Sequence, residues 1–194
     1  LREDYFNGKI FNVGDMVVSD GHPCEIVKRG SNHLLVKEQS GKLTSKWIQD
    51  VTVINASISG DTTGNGLARL PQLLTQHSPD MVLIELGAND GLRGFPPKLI
   101  TSNLSKMITM IKDSGADVVM MQIRVPPNYG KRYSDMFYDI YPKLAQHQQV
   151  TLMPFFLEHV VIKPEWMMDD GLHPKPDAQP WIADFVAQEL IKHL

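Results

Sequence analysis

Three short stretches carry residues that could do chemistry together. The first is Asp169-Asp170-Gly171-Leu172-His173-Pro174, where Asp170 and His173 stand three apart across a glycine turn. Such a turn lets a carboxylate accept a hydrogen bond from an imidazole and fix its tautomer, the arrangement of a catalytic triad. The second is Gly87-Ala88-Asn89-Asp90-Gly91, which follows the apolar run Met81 to Leu86. In open α/β sheets ligands bind beyond the carboxyl ends of the strands, so Asn89 and Asp90 stand where chemistry usually happens. The third is Ser57-Ile58-Ser59-Gly60-Asp61-Thr62-Thr63-Gly64, where a glycine lets a backbone N–H approach a ligand closely. Each piece alone also fits an ordinary solvated turn. The ordered combination, Ser-Gly-Asp-Thr, then Gly-x-Asn-Asp, then Asp-Gly-x-His-Pro, is far more specific.

The elements that would position these loops follow from periodicity. From Asp50 onward strands alternate with helices: Val51 to Ile54 reads as a strand, and Gly66 to His77 as a helix with Leu67, Leu70 and Leu74 on one face. Pro71 fits that helix only near its first turn. Met81 to Leu86 is the next strand. A helix follows, marked by Leu99, Leu104, Met107, Ile108 and Ile111 and closed by Gly115. Val118 to Ile123 is a strand, Tyr133, Phe137, Ile140, Tyr141 and Leu144 mark a third helix, and Val150 to Met153 is a strand. A last helix runs from Asp177, a plausible N-cap, to Lys192. This alternation predicts a parallel sheet covered on both faces.

The first fifty residues read differently. Val13 to Val18, Cys24 to Val27, His33 to Lys37 and Leu43 to Trp47 are short strand-like runs separated by turn residues, with no helical period between them. They predict a meander such as a small SH3-like barrel over residues 1–48, with the α/β domain over residues 49–194. Seven basic residues stand against seven acidic ones in the first fifty residues, and the whole chain carries a net charge of −3, so neither nucleic acid nor an anionic membrane is implied. The single cysteine, Cys24, excludes a disulfide framework and a thiolate metal site. No apolar run approaches the ~20 residues of a membrane span. The opening LREDYFNG is too polar for a signal peptide, and a start at Leu1 rather than Met is compatible with removal of a segment.

The runs NASISGDTTGNGLARLPQLL, VLIELGANDGLRGF, MQIRVPPNYGKRY, YPKLA, LMPFF and WMMDDGLHPKPDAQPWIAD resemble the SGNH, or GDSL, hydrolase family. The likeness is to the branch that hydrolyses aryl esters, acyl-CoA thioesters and lysophospholipids, and it covers residues 51–194. The resemblance implies a flavodoxin-like three-layer α/β sandwich acting on acyl esters, acyl-CoA or lysophospholipids. It also implies Gly60 N–H and the Asn89 side chain as oxyanion donors, His173 as general base and Asp170 as its orienting partner. No metal and no cofactor is expected, and the loop from Pro126 to Tyr129 would flank an acyl groove. Relatives are often periplasmic, although no export signal is visible here.

One departure stands against these matches. The family's first block, an apolar strand ending Gly-Asp-Ser-Leu and followed by a helix, supplies the serine nucleophile. The nearest string here is Val13-Gly14-Asp15-Met16-Val17, which places methionine at the nucleophile's position, and no helical pattern follows. A thioether cannot be deprotonated or productively acylated. Ser19 is the nearest serine. Two readings follow: an esterase in which Ser19 or another serine reaches His173, or a non-catalytic chimera of a β module and a hydrolase remnant whose first strand and helix are missing or replaced.

Overall fold

The structure, a computed structural model, describes residues 8–9, 12–19, 22–30, 33–47 and 53–191. The chain divides into two units, one covering Leu1–Asn55 together with Ile191–Leu194, the other Ala56–Leu190.

In the first unit β1 (Met16–Ser19), β2 (His22–Arg29), β3 (His33–Glu38) and β4 (Leu43–Trp47) form one antiparallel sheet in sequence order. Alternation along the strands buries Cys24, Ile26, Leu34 and Val36 together and turns Glu25, Lys28 and Lys37 outward. The described residues between Gly21 and Lys46 contain no helix.

The second unit is α/β. Its elements are α1 (Thr63–His77), β5 (Met81–Ile84), α2 (Ala88–Leu92), α3 (Pro97–Asp113) and β6 (Asp117–Met121). They continue with α4 (Lys131–Tyr138), α5 (Ile140–Gln148), β7 (Thr151–Met153), α6 (Leu157–Val160) and α7 (Gln179–Ile191). The sheet is parallel in the order β5-β6-β7, with Val82 opposite Val118 and Met120 opposite Leu152. β6 lies between two neighbours, and Val118 to Met121 are all buried, as expected for a strand covered on both faces. α3 presents Ile100, Leu104, Met107, Ile108 and Ile111 to this core at helical spacing, and α5 adds Ile140, Tyr141, Leu144 and Ala145.

Four local expectations are corrected. Val51 to Ile54 does not form a strand in its described part: Val53 and Ile54 are 82% and 47% exposed and pair with nothing in either sheet. A strand is made by its ladder, and among the described residues β5 pairs only with β6. The helix containing Pro71 starts earlier, at Thr63, so Pro71 sits in its interior rather than near its first turn. A capping box between Thr62 and Asn65 fixes the earlier start. The third helix is two helices broken at Asp139. Pro142 has no N–H to offer the Tyr138 carbonyl, which accepts a bond from Gln122 Nε2 instead (3.2 Å). Asp177 is not an N-cap but lies in a 3-10 turn, Pro176–Ala178. Pro180 fits an α-helix only in its first turn, which sets the start of α7 at Gln179. Lys192 lies outside the described residues.

Candidate active site

The loop between β5 and α2 is shaped by Gly87. Its φ of +118° is closed to most side chains, and an added Cβ would collide with the Tyr141 hydroxyl. That hydroxyl donates to the Leu86 carbonyl at 3.0 Å, locking the end of the strand. α2 then begins at Ala88 and aims three side chains at the Gly60 loop. Asn89 Nδ2 donates to the Asp61 carbonyl (3.0 Å), Arg93 donates to the Gly60 carbonyl (3.2 Å), and Asp90 accepts both the Thr63 N–H (2.8 Å) and the Thr63 hydroxyl (2.5 Å). From α1, Arg69 Nε reaches Asp61 at 2.8 Å.

The Asn89 side chain is therefore bonded to the turn that carries Gly60. Gly60 has φ +83°, and its N–H bonds to nothing among the described residues. The Asn89 amide has two hydrogens, of which the Asp61 carbonyl takes one, leaving the other available.

The Asp170–His173 turn is built locally. Met168 N–H donates to the His173 carbonyl (2.8 Å) and Gly171 N–H to the Met168 carbonyl (3.0 Å), while Met167 bridges Pro174. Inside this turn His173 Nδ1 lies 2.7 Å from Asp170 Oδ2, and Asp170 Oδ1 accepts the N–H groups of Leu172 (2.8 Å) and His173 (3.0 Å). These three bonds, the imidazole's first, lower the Asp170 carboxyl from 3.8 to about 2. The His173 side chain is 68% exposed, so the imidazole is not enclosed by packed walls. Among the described residues no hydrogen bond joins His173 to Gly60 or Asn89, and no serine bonds its Nε2.

The Gly14-Asp15 string is placed quite differently from a strand-to-helix junction. Gly14 N–H donates to the Ile26 carbonyl (2.8 Å), Asp15 accepts from Asn12 N–H (2.7 Å), and the chain then enters β1, antiparallel to β2. The string opens a strand instead of closing one. Met16 is 65% exposed and opposite Glu25; Ser19 ends β1 opposite His22, and its side chain lies outside what is described. A shallow depression beside α4 is lined by Tyr129, Lys131, Arg132, Tyr133 and Met136. The Tyr129 and Tyr133 hydroxyls donate to the Leu92 and Phe95 carbonyls, both at 2.8 Å. Burial raises the Tyr133 phenol, with the Asp90 charge adding to it. Among the described residues no group of His, Cys, Asp and Glu could hold a metal, and no helix is long and apolar enough to cross a membrane.

Sequence reasoning missed the grip of Asp90 on Thr63, 27 residues away, and the role of Arg93. The only sequence signals were the Asp next to Asn89 and the paired threonines after Asp61.

Comparison with known proteins places these loops in a lineage. An arylesterase of Vibrio mimicus is 90% identical over 146 residues, which is 75% of this chain and 73% of that protein. The thioesterase 1/protease 1/lysophospholipase L1 of Escherichia coli (strain K12) is 55% identical over 148 residues, 76% of this chain and 71% of that protein. Among solved structures, the psychrotrophic esterase EstA from Pseudoalteromonas sp. superposes with a TM-score of 0.72 at 45% identity, over 74% of this chain and 78% of that one. The model of the GDSL-like Lipase/Acylhydrolase family matches residues 30–179, from the connection between β2 and β3 through all three loops. By that match and by these identities, the chain belongs to the GDSL-like lipase/acylhydrolase family.

Proposed function

We propose that this chain carries the base and oxyanion half of a carboxylic ester and thioester hydrolase site, and that as it stands it lacks the nucleophile. His173 is the general base, Asp170 holds its tautomer, and the Gly60 N–H and Asn89 amide receive the negative charge of a tetrahedral intermediate. The substrates are acyl esters, acyl-CoA thioesters or lysophospholipids; the relatives' names, arylesterase and thioesterase 1/protease 1/lysophospholipase L1, support the ester, thioester and lysophospholipid classes. The observation that carries the reading is the 2.7 Å Asp170–His173 contact on an imidazole that is 68% exposed.

In a complete site a serine hydroxyl gives its proton to His173 Nε2 as its oxygen attacks the acyl carbon. His173 then passes that proton to the leaving alcohol or thiol. Asp170, already held low by His173 and two backbone N–H groups, accepts the Nδ1–H throughout. Without the serine only water remains for His173 to activate, and the oxyanion donors leave a residual rate at best.

The non-catalytic reading is favoured by one observation: Gly14-Asp15-Met16 opens an antiparallel strand, so neither residue type nor backbone supplies a nucleophile there. Residues 1–48 are on this reading a separate β module. Hydrolysis of p-nitrophenyl acyl esters and acyl-CoA, compared with His173→Ala, tests it. Equal rates for the two proteins are expected; a native rate well above that of His173→Ala would identify a working hydrolase.

A further inference from the structure

We infer that Asp90 is a positioning residue, which sets the Gly60 turn and the Asn89 amide against each other through Thr63. The inference rests on the reading of Gly60 and Asn89 as the oxyanion pair. Asp90 is fully buried, and its two oxygens are taken by the N–H and hydroxyl of a single residue, Thr63. Asn103 Nδ2, from α3, donates to the same Thr63 hydroxyl at 3.0 Å.

A buried carboxylate is costly to desolvate, and here its compensation is the first turn of α1, where N–H groups point outward. That turn does not need Asp90 for capping. Thr62 and Asn65 already form a reciprocal cap. What Asp90 adds is a tie between segments 27 residues apart.

The register of this tie matters. Asn89, Asp90 and Arg93, all on or at the end of α2, hold Asp61, Thr63 and Gly60 respectively. The Asn89 and Arg93 bonds are single and partly or fully exposed, so water competes for both. The Asp90 pair is buried and charge-assisted, and is the strongest of the three. It fixes how far Thr63, and so the turn three residues before it, lies from Asn89. Donors aimed at a developing oxyanion work only when held to that geometry.

The test is NMR on the full ¹⁵N-labelled chain. In Asp90→Asn and Thr63→Val the Gly60 backbone and Asn89 side-chain amide cross-peaks move, and Thr63 N–H exchange in Asp90→Asn speeds up roughly tenfold to a hundredfold. Thr63→Ser, which keeps the hydroxyl, retains the native positions of both cross-peaks. Thr101→Val, which removes a helix hydroxyl that donates to the Pro97 carbonyl, leaves them unmoved. Loss of stability in Asp90→Asn or Thr63→Val with Gly60 and Asn89 signals unchanged would reduce Asp90 to a structural cap and overturn the inference. Should Asp90→Asn fail to fold, the Thr63→Val and Thr63→Ser pair decides the matter alone. A failure of the oxyanion reading shows instead in a chain given a Gly-Asp-Ser-Leu strand-and-helix block in place of Leu1 to Lys46, as ester hydrolysis that Asn89→Ala does not slow, and it leaves these cross-peaks untouched.

Discussion

His173 Nδ1 lies 2.7 Å from Asp170 Oδ2, while the other oxygen of the same carboxylate accepts two backbone N–H groups. This carboxyl is held at about 2 in the folded chain, below its ordinary 3.8. A lowered folded pKa contributes stability that is fully present above about pH 4 and lost as pH falls through about 2. A carbon-detected NMR titration should place the Asp170 midpoint near 2, and His173→Ala should bring it back toward the ordinary value. An unchanged midpoint in His173→Ala would mean that the backbone N–H groups alone hold the charge.

Gly87 is expected to be intolerant of any side chain. Gly87→Ala meets both the positive φ and the Tyr141 hydroxyl, and should cost about 2–4 kcal/mol in urea unfolding. Gly94→Ala has a positive φ of +67° but open space around its Cβ, and should cost only about 1–2 kcal/mol. Equal losses at the two sites would show that the Tyr141 contact is of no consequence.

Pro71 is exposed and interior to α1, where it removes the N–H that would bond the Leu67 carbonyl. Replacing it with alanine restores that bond at the cost of a freer unfolded chain. Pro71→Ala should therefore raise stability by about 1 kcal/mol or more. A fall in the urea midpoint would contradict this.

Much of the architecture was legible in the sequence because it is written in local patterns. The apolar run around Val118 to Met121 marks a strand buried on both faces, and the stripe Leu104, Met107, Ile108, Ile111 marks the helix packed on it. The Asp170–His173 contact was legible for the same reason, since a three-residue span across Gly171 needs no distant partner. What failed depended on distant partners or on proline. Val53 and Ile54 have strand-like side chains but no ladder, and sequence cannot supply a neighbour. Pro142 and Pro180 decide where helices break and begin, and hydrophobic period alone overlooks them. The Asp90–Thr63 tie joins residues 27 apart in the chain, so the Asp beside Asn89 and the paired threonines after Asp61 did not reveal each other as partners.

The most direct test of the central claim, a base and oxyanion half without its nucleophile, is labelling with a fluorophosphonate probe followed by peptide mapping. Losing the nucleophile of a triad costs about as much as losing the whole triad, ~10⁶-fold in a serine protease. The account predicts no labelled serine in the native chain, and labelling once a Gly-Asp-Ser-Leu strand-and-helix block replaces Leu1 to Lys46. Labelling of Ser19 or any other serine in the native chain, abolished by His173→Ala, would contradict it.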